Sequence, residues 1–170
     1  MAPDSGGKLS AALGSAVFFI VAPGTVAGLL PWLISGWRLA APQPVLPIRL
    51  LGGLLILAGL IELVEAFARF ALQGIGTPAP LYPTRHLVVR GLYRHVRNPM
   101  YLAVFSTVLG QGLLLGSPWL MIYAVLVAIG FDLFVIAYEE PTLRRRFGAE
   151  YQSYCDNVRR WLPRLRPWGG

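Results

Sequence analysis

Four apolar blocks, each long enough to cross a bilayer, limit the fold of this chain more than any other feature. They run over about 9–33, 47–72, 99–116 and 119–138. A bilayer core needs roughly 20 consecutive apolar residues as helix. Backbone in lipid must satisfy its own hydrogen bonds, as a helix or a closed barrel. No alternation of period two suggests a barrel. The expected fold is all-α: a polytopic membrane protein with four transmembrane helices, a single domain over 1–170.

Charge gives the orientation. Of fifteen Lys and Arg, four spans place all but Arg38 and Arg49 on one side, with the N-terminus, the 73–98 loop and the tail after Tyr138. Basic residues collect on the cytoplasmic side of a membrane protein, so both termini are expected there, in a bacterial inner membrane. The formal charge of +7 then reflects orientation and contact with membrane lipids, and no nucleic-acid partner is expected. Charged residues make up only 14% of the chain, against about 25% in soluble domains. Cys155 is the one cysteine, which rules out an internal disulfide or a cysteine-based zinc site. It is expected to be a reduced bystander, and no metal site is expected. The first block is too long for a signal-peptide core and is taken as an uncleaved span.

Pro23-Gly24 predicts a kink in the first span. Gly52, Gly53 and Gly59 permit close packing of the second. Gly116-Ser117-Pro118 is a tight turn that makes the last two spans an antiparallel hairpin. In the tail, Leu143, Phe147, Tyr151, Tyr154 and Val158 recur at helical spacing. A cytoplasmic interfacial helix over about 141–160 fits that pattern, either as an anchor or as a cover for a site.

Acidic residues mark where chemistry could sit. Charge inside a bilayer is costly and faces a polar interior. Glu62 and Glu65 share a face of the second span. Asp132 and Glu139, seven apart, share a face of the fourth. Glu65 could pair with Arg69 one turn on, and Asp132 could bond a neighbouring helix; alternatively, together they border a polar cavity. Glu140 precedes Pro141, which disfavours helix at Glu140 and suits the first turn of a new one. Glu139 and Glu140 are thus expected at a break, free to turn toward a cleft. An acidic side chain is the usual partner of ribose hydroxyls.

At the other junction Asn98 is a natural N-cap and Pro99 a natural first residue of the third span. Its free N–H groups favour an anion, and Arg94 and Arg97 stand beside it. The alternative is capping plus lipid phosphate contact. An anion seat and a hydroxyl-binding acid pair on one face would suit a zwitterionic nucleoside such as S-adenosylmethionine.

RNPMY (97–101), a span hairpin and then YEEP (138–141) resemble the integral-membrane methyltransferases, which include isoprenylcysteine carboxyl methyltransferase and phosphatidylethanolamine N-methyltransferase. GTPAP (76–80), LVVRGLYRHVRNPMY (87–101) and FGAEYQSY (147–154), with Val158, Arg160, Trp161 and Pro163 after them, resemble the bacterial branch. The resemblance implies a cytoplasm-facing S-adenosylmethionine pocket that contains Arg97, Asn98, Pro99, Tyr101, Glu139 and Glu140, with His95 beside it. It implies a lipophilic or lipid acceptor entering from the bilayer. Isoprenylcysteine members often carry His where this chain has Asn98. Gly74-Ile75-Gly76 and Gly110-Gln111-Gly112 are candidates for the family's glycine cofactor elements, with packing as the expected role.

Direct methyl transfer needs alignment more than covalent catalysis, and orientation can supply roughly 7–11 kcal/mol. A carboxylate acceptor needs no base. An amine acceptor does, and Asp132 and Glu65 are the candidate catalytic groups, with Glu62 and His95 behind them. A non-catalytic membrane protein that retains the pocket is the alternative, and a transporter is a further one, though four spans are few for repeat-built transporters. The charge asymmetry makes a direct prediction. A cysteine introduced at Ala41 should react with an impermeant reagent added outside intact cells. Labelling only after permeabilisation would overturn the orientation.

Overall fold

The computed structural model describes residues 21–40, 44–73, 87 and 89–169, with 67–73 described as backbone. Among these residues every regular element is helical. Helix α1 spans Val21–Ser35 and contains a π-turn at Thr25–Leu29. Helix α2 spans Leu46–Gln73, a 3-10 turn covers Gly91–Arg94, α3 spans Pro99–Leu115 and α4 spans Pro118–Phe134. A second π-turn, Val135–Glu139, carries α4 into α5, Glu140–Asn157.

Two runs are long and apolar enough to cross a membrane, Leu46–Ala66 and Pro118–Asn157. Val21–Ser35 and Pro99–Leu115 are apolar but shorter. The start of the expected first span, 9–20, lies outside the described residues, as do Gly74-Ile75-Gly76 and GTPAP.

Helix α3 is the centre of the bundle. Nine of its residues are buried, from Pro99 to Leu115, whereas α4 buries only Leu120 and Ala124. The outer faces of α2 and α4 expose Leu50, Leu54, Leu57, Ile61, Ile122, Val125, Ile129 and Leu133. In water such continuous apolar surface would aggregate; in lipid it is the solvated face. Close approach of α2 and α3 depends on glycine. A Cβ on Gly52 would meet the Gly110 carbonyl at 2.7 Å, and one on Gly59 would meet the Ala103 carbonyl at 2.5 Å. Gly110 in turn faces Gly52, and Gly112 faces Met121. The Gly110-Gln111-Gly112 pair therefore packs helices, as expected.

At one end of the bundle, Ala40 N–H donates to the Leu115 carbonyl at 2.9 Å, and Gly116 turns at φ 67° against Pro44. The other end holds the α2–α3 junction, the π-turn into α5 and the tail. Arg38 and Arg49 belong to the first end, and the arginines of 90–97 and 144–166 to the second.

Both π-turns sit just before a proline. Pro31 has no N–H for the Ala27 carbonyl four residues back, and its ring crowds that carbonyl. The chain widens instead: Leu30 N–H donates to Thr25, five residues back. Side chains from the neighbouring helices take the carbonyls that are left over. Gln111 Nε2 donates to Ala27 at 2.7 Å and the Tyr123 hydroxyl to Val26 at 2.9 Å. Trp37 Nε1 then donates to Gln111 Oε1 at 3.0 Å. The expected kink at Pro23-Gly24 is absent, since Gly24 is helical at φ −63°, ψ −38°; the irregularity belongs to Pro31.

Pro141 is handled alike, with Glu140 N–H donating to Val135. The expected break at Glu139-Glu140 is therefore a widened turn in a continuous helix, and Glu140 is helical at φ −61°, ψ −44°. The true interruption lies at Gly148, with φ 52° and ψ −121°, a conformation open essentially to glycine. Tail residues Tyr151, Tyr154 and Val158 are buried, with Leu87, Val89, Leu143, Phe147 and Trp168 packed on them. The predicted apolar face is real, but protein covers it.

Glycine packing gives a paired prediction. Gly59→Val should lower thermal stability in detergent by at least the roughly 1–3 kcal/mol of an overpacked core. Gly53→Val, where a Cβ meets nothing within 4 Å, should leave the unfolding transition nearly unchanged.

Candidate active site

Two acids at the start of α5 meet the start of α3. Glu140 is buried and shared by two arginines. Arg97 Nη1 donates to its Oε1 at 3.0 Å. Arg160 Nε donates to Oε1 at 2.7 Å and Nη2 to Oε2 at 3.0 Å, a bidentate pair. Burial pushes the Glu140 carboxyl upward, but the Arg160 hydrogen bonds and the charges of Arg97, Arg160 and Arg144 outweigh it and hold its pKa below the ordinary value. Arg160 is correspondingly shifted up, by its hydrogen bond to Glu140 before all else.

Glu139 turns the other way. Its Oε2 accepts the Tyr101 hydroxyl at 2.8 Å. Tyr101 stacks obliquely on Phe131, with ring centroids 4.8 Å apart, and meets Trp161 edge-on at 6.4 Å. Trp161 Nε1 donates to Asp132 Oδ1 at 2.7 Å, and Arg160 Nη1 lies 3.8 Å from the same oxygen. Asp132 therefore shares a face with Glu140 rather than with Glu139 as expected. The extra residue of the π-turn rotates the helix by one position.

A cleft opens beside these groups, lined by Glu62, Glu65, Arg90, Tyr93 and Pro99. Glu62 and Glu65 do share a face. Glu62 Oε1 is buried in the protein with no hydrogen-bond partner among the described residues, and so is Arg97 Nε. Burial raises the Tyr93 phenol above its ordinary pKa, and the charges of Glu139 and Glu62 push the same way. Tyr93 thus stays a neutral hydroxyl in the cleft.

The tail closes over the junction as an antiparallel strap. Arg97 N–H donates to the Arg159 carbonyl, Arg164 N–H to His95, and Trp168 N–H to Arg94, each at 2.9 Å. Arg94 Nε donates to the Trp168 carbonyl at 2.6 Å. His95 Nδ1 lies 2.8 Å from the Arg164 carbonyl. Arg94 and His95 therefore hold the strap. Asn98 occupies the N-cap position, but its side chain makes no cap; Nδ2 donates to the Arg160 carbonyl at 3.3 Å. Pro99 is the first residue of α3, as expected. Cys155 is no bystander, since its Sγ accepts from Arg97 Nη1 at 2.9 Å. Tyr93, Phe131 and the contact of Trp161 with Asp132 escaped the sequence reading. Trp161 follows two arginines in the tail, but no spacing rule aims it at a residue 29 positions earlier.

The phospholipid methyltransferase family matches residues 48–150, more than half of the chain and every helix from α2 to the first part of α5. The chain belongs to that family. Two rice proteins, from Oryza sativa subsp. indica and japonica, are each named a probable protein-S-isoprenylcysteine O-methyltransferase. Each is 35% identical to this phospholipid methyltransferase family member over 83 residues, 48% of this chain and 44% of the rice protein. The match thus spans less than half the length of those relatives. An uncharacterized protein of Haemophilus influenzae is 36% identical over 63 residues, 37% of this chain and all of that protein.

The Glu140 clamp has a definite pH signature. A carboxyl whose pKa is depressed on folding stabilises the fold above its unfolded value, 4.5, and that contribution is lost as pH falls through the folded value. Glu140→Gln leaves two arginines without their counter-charge and should cost roughly 3–5 kcal/mol at pH 7. The variant should also lack this part of the loss below pH 4.5. Thermal unfolding at neutral and acid pH measures both. A neutral effect at pH 7 would overturn the clamp.

Proposed function

We propose that this chain is an integral-membrane methyltransferase that moves a methyl group from S-adenosylmethionine to a lipophilic acceptor, an isoprenylcysteine-type carboxylate or a phospholipid amine. In this reading it crosses a bacterial inner membrane four times, with both termini and the site on the cytoplasmic side. One observation carries the proposal. Arg97 and Tyr101 of RNPMY join Glu140 and Glu139 of YEEP at one end of an apolar bundle. Family membership and the names given to the two rice proteins support it.

The residues present suit the proposed methyl donor. A zwitterionic nucleoside needs a cation for its carboxylate, an acceptor for its ribose hydroxyls and a surface for its sulfonium. Arg97 Nε is a buried donor without a partner among the described residues, beside the N-terminus of α3. Glu139 has engaged one oxygen with Tyr101, and no donor among the described residues meets the other. Tyr93, Tyr101 and Phe131 supply aromatic faces of the kind that attract cations. When bound, the donor supplies an electrophilic methyl group.

The chain's own part is to bind, align and handle a proton. Glu139 would accept the hydroxyl pair, with Tyr101 fixing its rotamer. Arg97 is fixed in turn by Glu140 and Cys155. An amine acceptor must lose its proton before it can attack. Of the two expected catalytic acids, Glu65 lines the cleft with Glu62, while Asp132 is held by Trp161 and Arg160. We assign proton acceptance to the Glu62–Glu65 pair and a positioning role to Asp132. Asn98, Pro99 and His95 then act through the helix start and the strap.

Titration with S-adenosylhomocysteine tests the donor site. A hydrogen bond to a charged group is worth about 1.5–3 kcal/mol, so Glu139→Gln should weaken binding roughly tenfold or more, and Tyr101→Phe by less. Unchanged affinity in both would refute the assignment. Membranes given methyl-labelled S-adenosylmethionine identify the acceptor. Methylation of an amine lipid should accelerate as pH rises through ionisation of the base, and Glu62→Gln should flatten that rise. A carboxylate acceptor should show little dependence near neutrality. Label confined to water-soluble products would refute a lipid acceptor.

A further inference from the structure

The strap over residues 158–169 has two sides. Its inner side is bound to the protein by backbone pairs to Arg94, His95 and Arg97 and by the side chains of Arg160 and Trp161. Its outer side is apolar and basic. Leu162 is 63% exposed and Leu165 is 99% exposed, with exposed Arg159 and Arg166 on either side of them. A leucine wholly in solvent three positions from a tryptophan, on a segment tied to the protein by backbone pairs, is out of place in water.

Depth decides what covers it. Trp161 reaches Asp132 at 2.7 Å. Asp132 lies six residues before Tyr138, where the apolar run ends. At about 1.5 Å per residue, that is roughly 9 Å inside the run. The strap thus crosses the end of the bundle at the level where headgroups give way to acyl chains. Leu162 follows Trp161 directly. Leucine inward with arginine beside it is the pattern of an interfacial segment, and anionic headgroups complement the arginines.

We propose that the strap is seated in the leaflet on the site side, with Leu162 and Leu165 at the acyl boundary and Arg159 and Arg166 on anionic phospholipid headgroups. The partner is the lipid surface itself. The inner side of the same strap carries Arg160 to Glu140 and Trp161 to Asp132, so leaflet contact holds the clamp closed. This goes beyond the methyltransfer reading and does not depend on it.

The test uses the full chain, purified into nanodiscs of phosphatidylcholine alone or mixed with phosphatidylglycerol, with trypsin added outside. The readout is the rate of cleavage at Arg164–Leu165. Anionic lipid should slow it roughly thirtyfold, the weight of two arginines at a charged surface. Leu162→Asp/Leu165→Asp should restore rapid cleavage while the thermal unfolding of the bundle stays near that of the unmodified chain. A second measurement places the residue directly. Leu165→Cys in a Cys155→Ser background, carrying a polarity-sensitive fluorophore, should be quenched by acyl-chain spin-labelled lipid and shielded from iodide. A fluorophore at exposed Ser153→Cys should show the reverse. Equal cleavage in both lipids, with iodide reaching residues 165 and 153 alike, would overturn the proposal. So would protection that appears only at high protein-to-disc ratio, which would assign the surface to a second copy.

Discussion

Glu140 is one carboxylate held between two arginines that lie 63 residues apart in sequence, Arg97 before α3 and Arg160 after α5. Both arginines are partly withdrawn from water, with side chains 13% and 30% exposed, and losing their counter-charge there is costly. The start of the central helix, the end of the apolar hairpin and the strap are therefore mutually dependent. Around that junction the remaining polar groups fall into place. Arg97 also reaches Cys155, Arg160 reaches toward Asp132, and Trp161 completes the pair. Glu139, one residue away, turns to the Tyr101 hydroxyl instead.

The two prolines show how this bundle meets the demand that lipid places on a backbone. Proline removes a donor and crowds a carbonyl, and in a hydrocarbon medium water cannot make up the loss. At Pro31 the answer is a π-turn with Gln111 and Tyr123 as substitute donors. At Pro141 the same widening sits where the helix leaves its apolar stretch. There it does more than repair hydrogen bonds. One extra residue rotates the acid pair against Asp132, so that Glu140 meets the arginines and Glu139 meets Tyr101. A regular helix would have put Asp132 under Glu139. π-turns of this kind collect at functional sites, and here the reason is geometric.

Much of this was legible in the chain beforehand, for identifiable reasons. Apolar blocks and glycines answer to period and size, so the helices, the α3–α4 hairpin and the Gly52–Gly59 packing face could be read directly. The shared face of Glu62 and Glu65 follows from a regular helix. So does the buried face of Tyr151, Tyr154 and Val158, although its cover of Leu87, Val89 and Trp168 is a long-range matter. The break expected at Glu140 failed because a rule about the residue before proline competes with a wider turn that satisfies the same restriction. Asn98 was legible as a position and not as a contact, since its amide found the strap instead of the helix. The roles of Trp161 and Cys155 depend on pairings that no local pattern encodes.

Helix α3 is short. Seventeen residues extend about 25 Å at 1.5 Å each, against a hydrocarbon layer of roughly 30 Å. Packed at Gly52 against Gly110 and at Gly59 against Ala103, it begins short of the end of the 28-residue α2. The charged cluster of Arg97, Glu139 and Glu140 sits at that beginning, beneath the strap. Lipid beside a helix shorter than the hydrocarbon layer thins to meet it. The short helix thus sets the depth at which its polar end meets the leaflet.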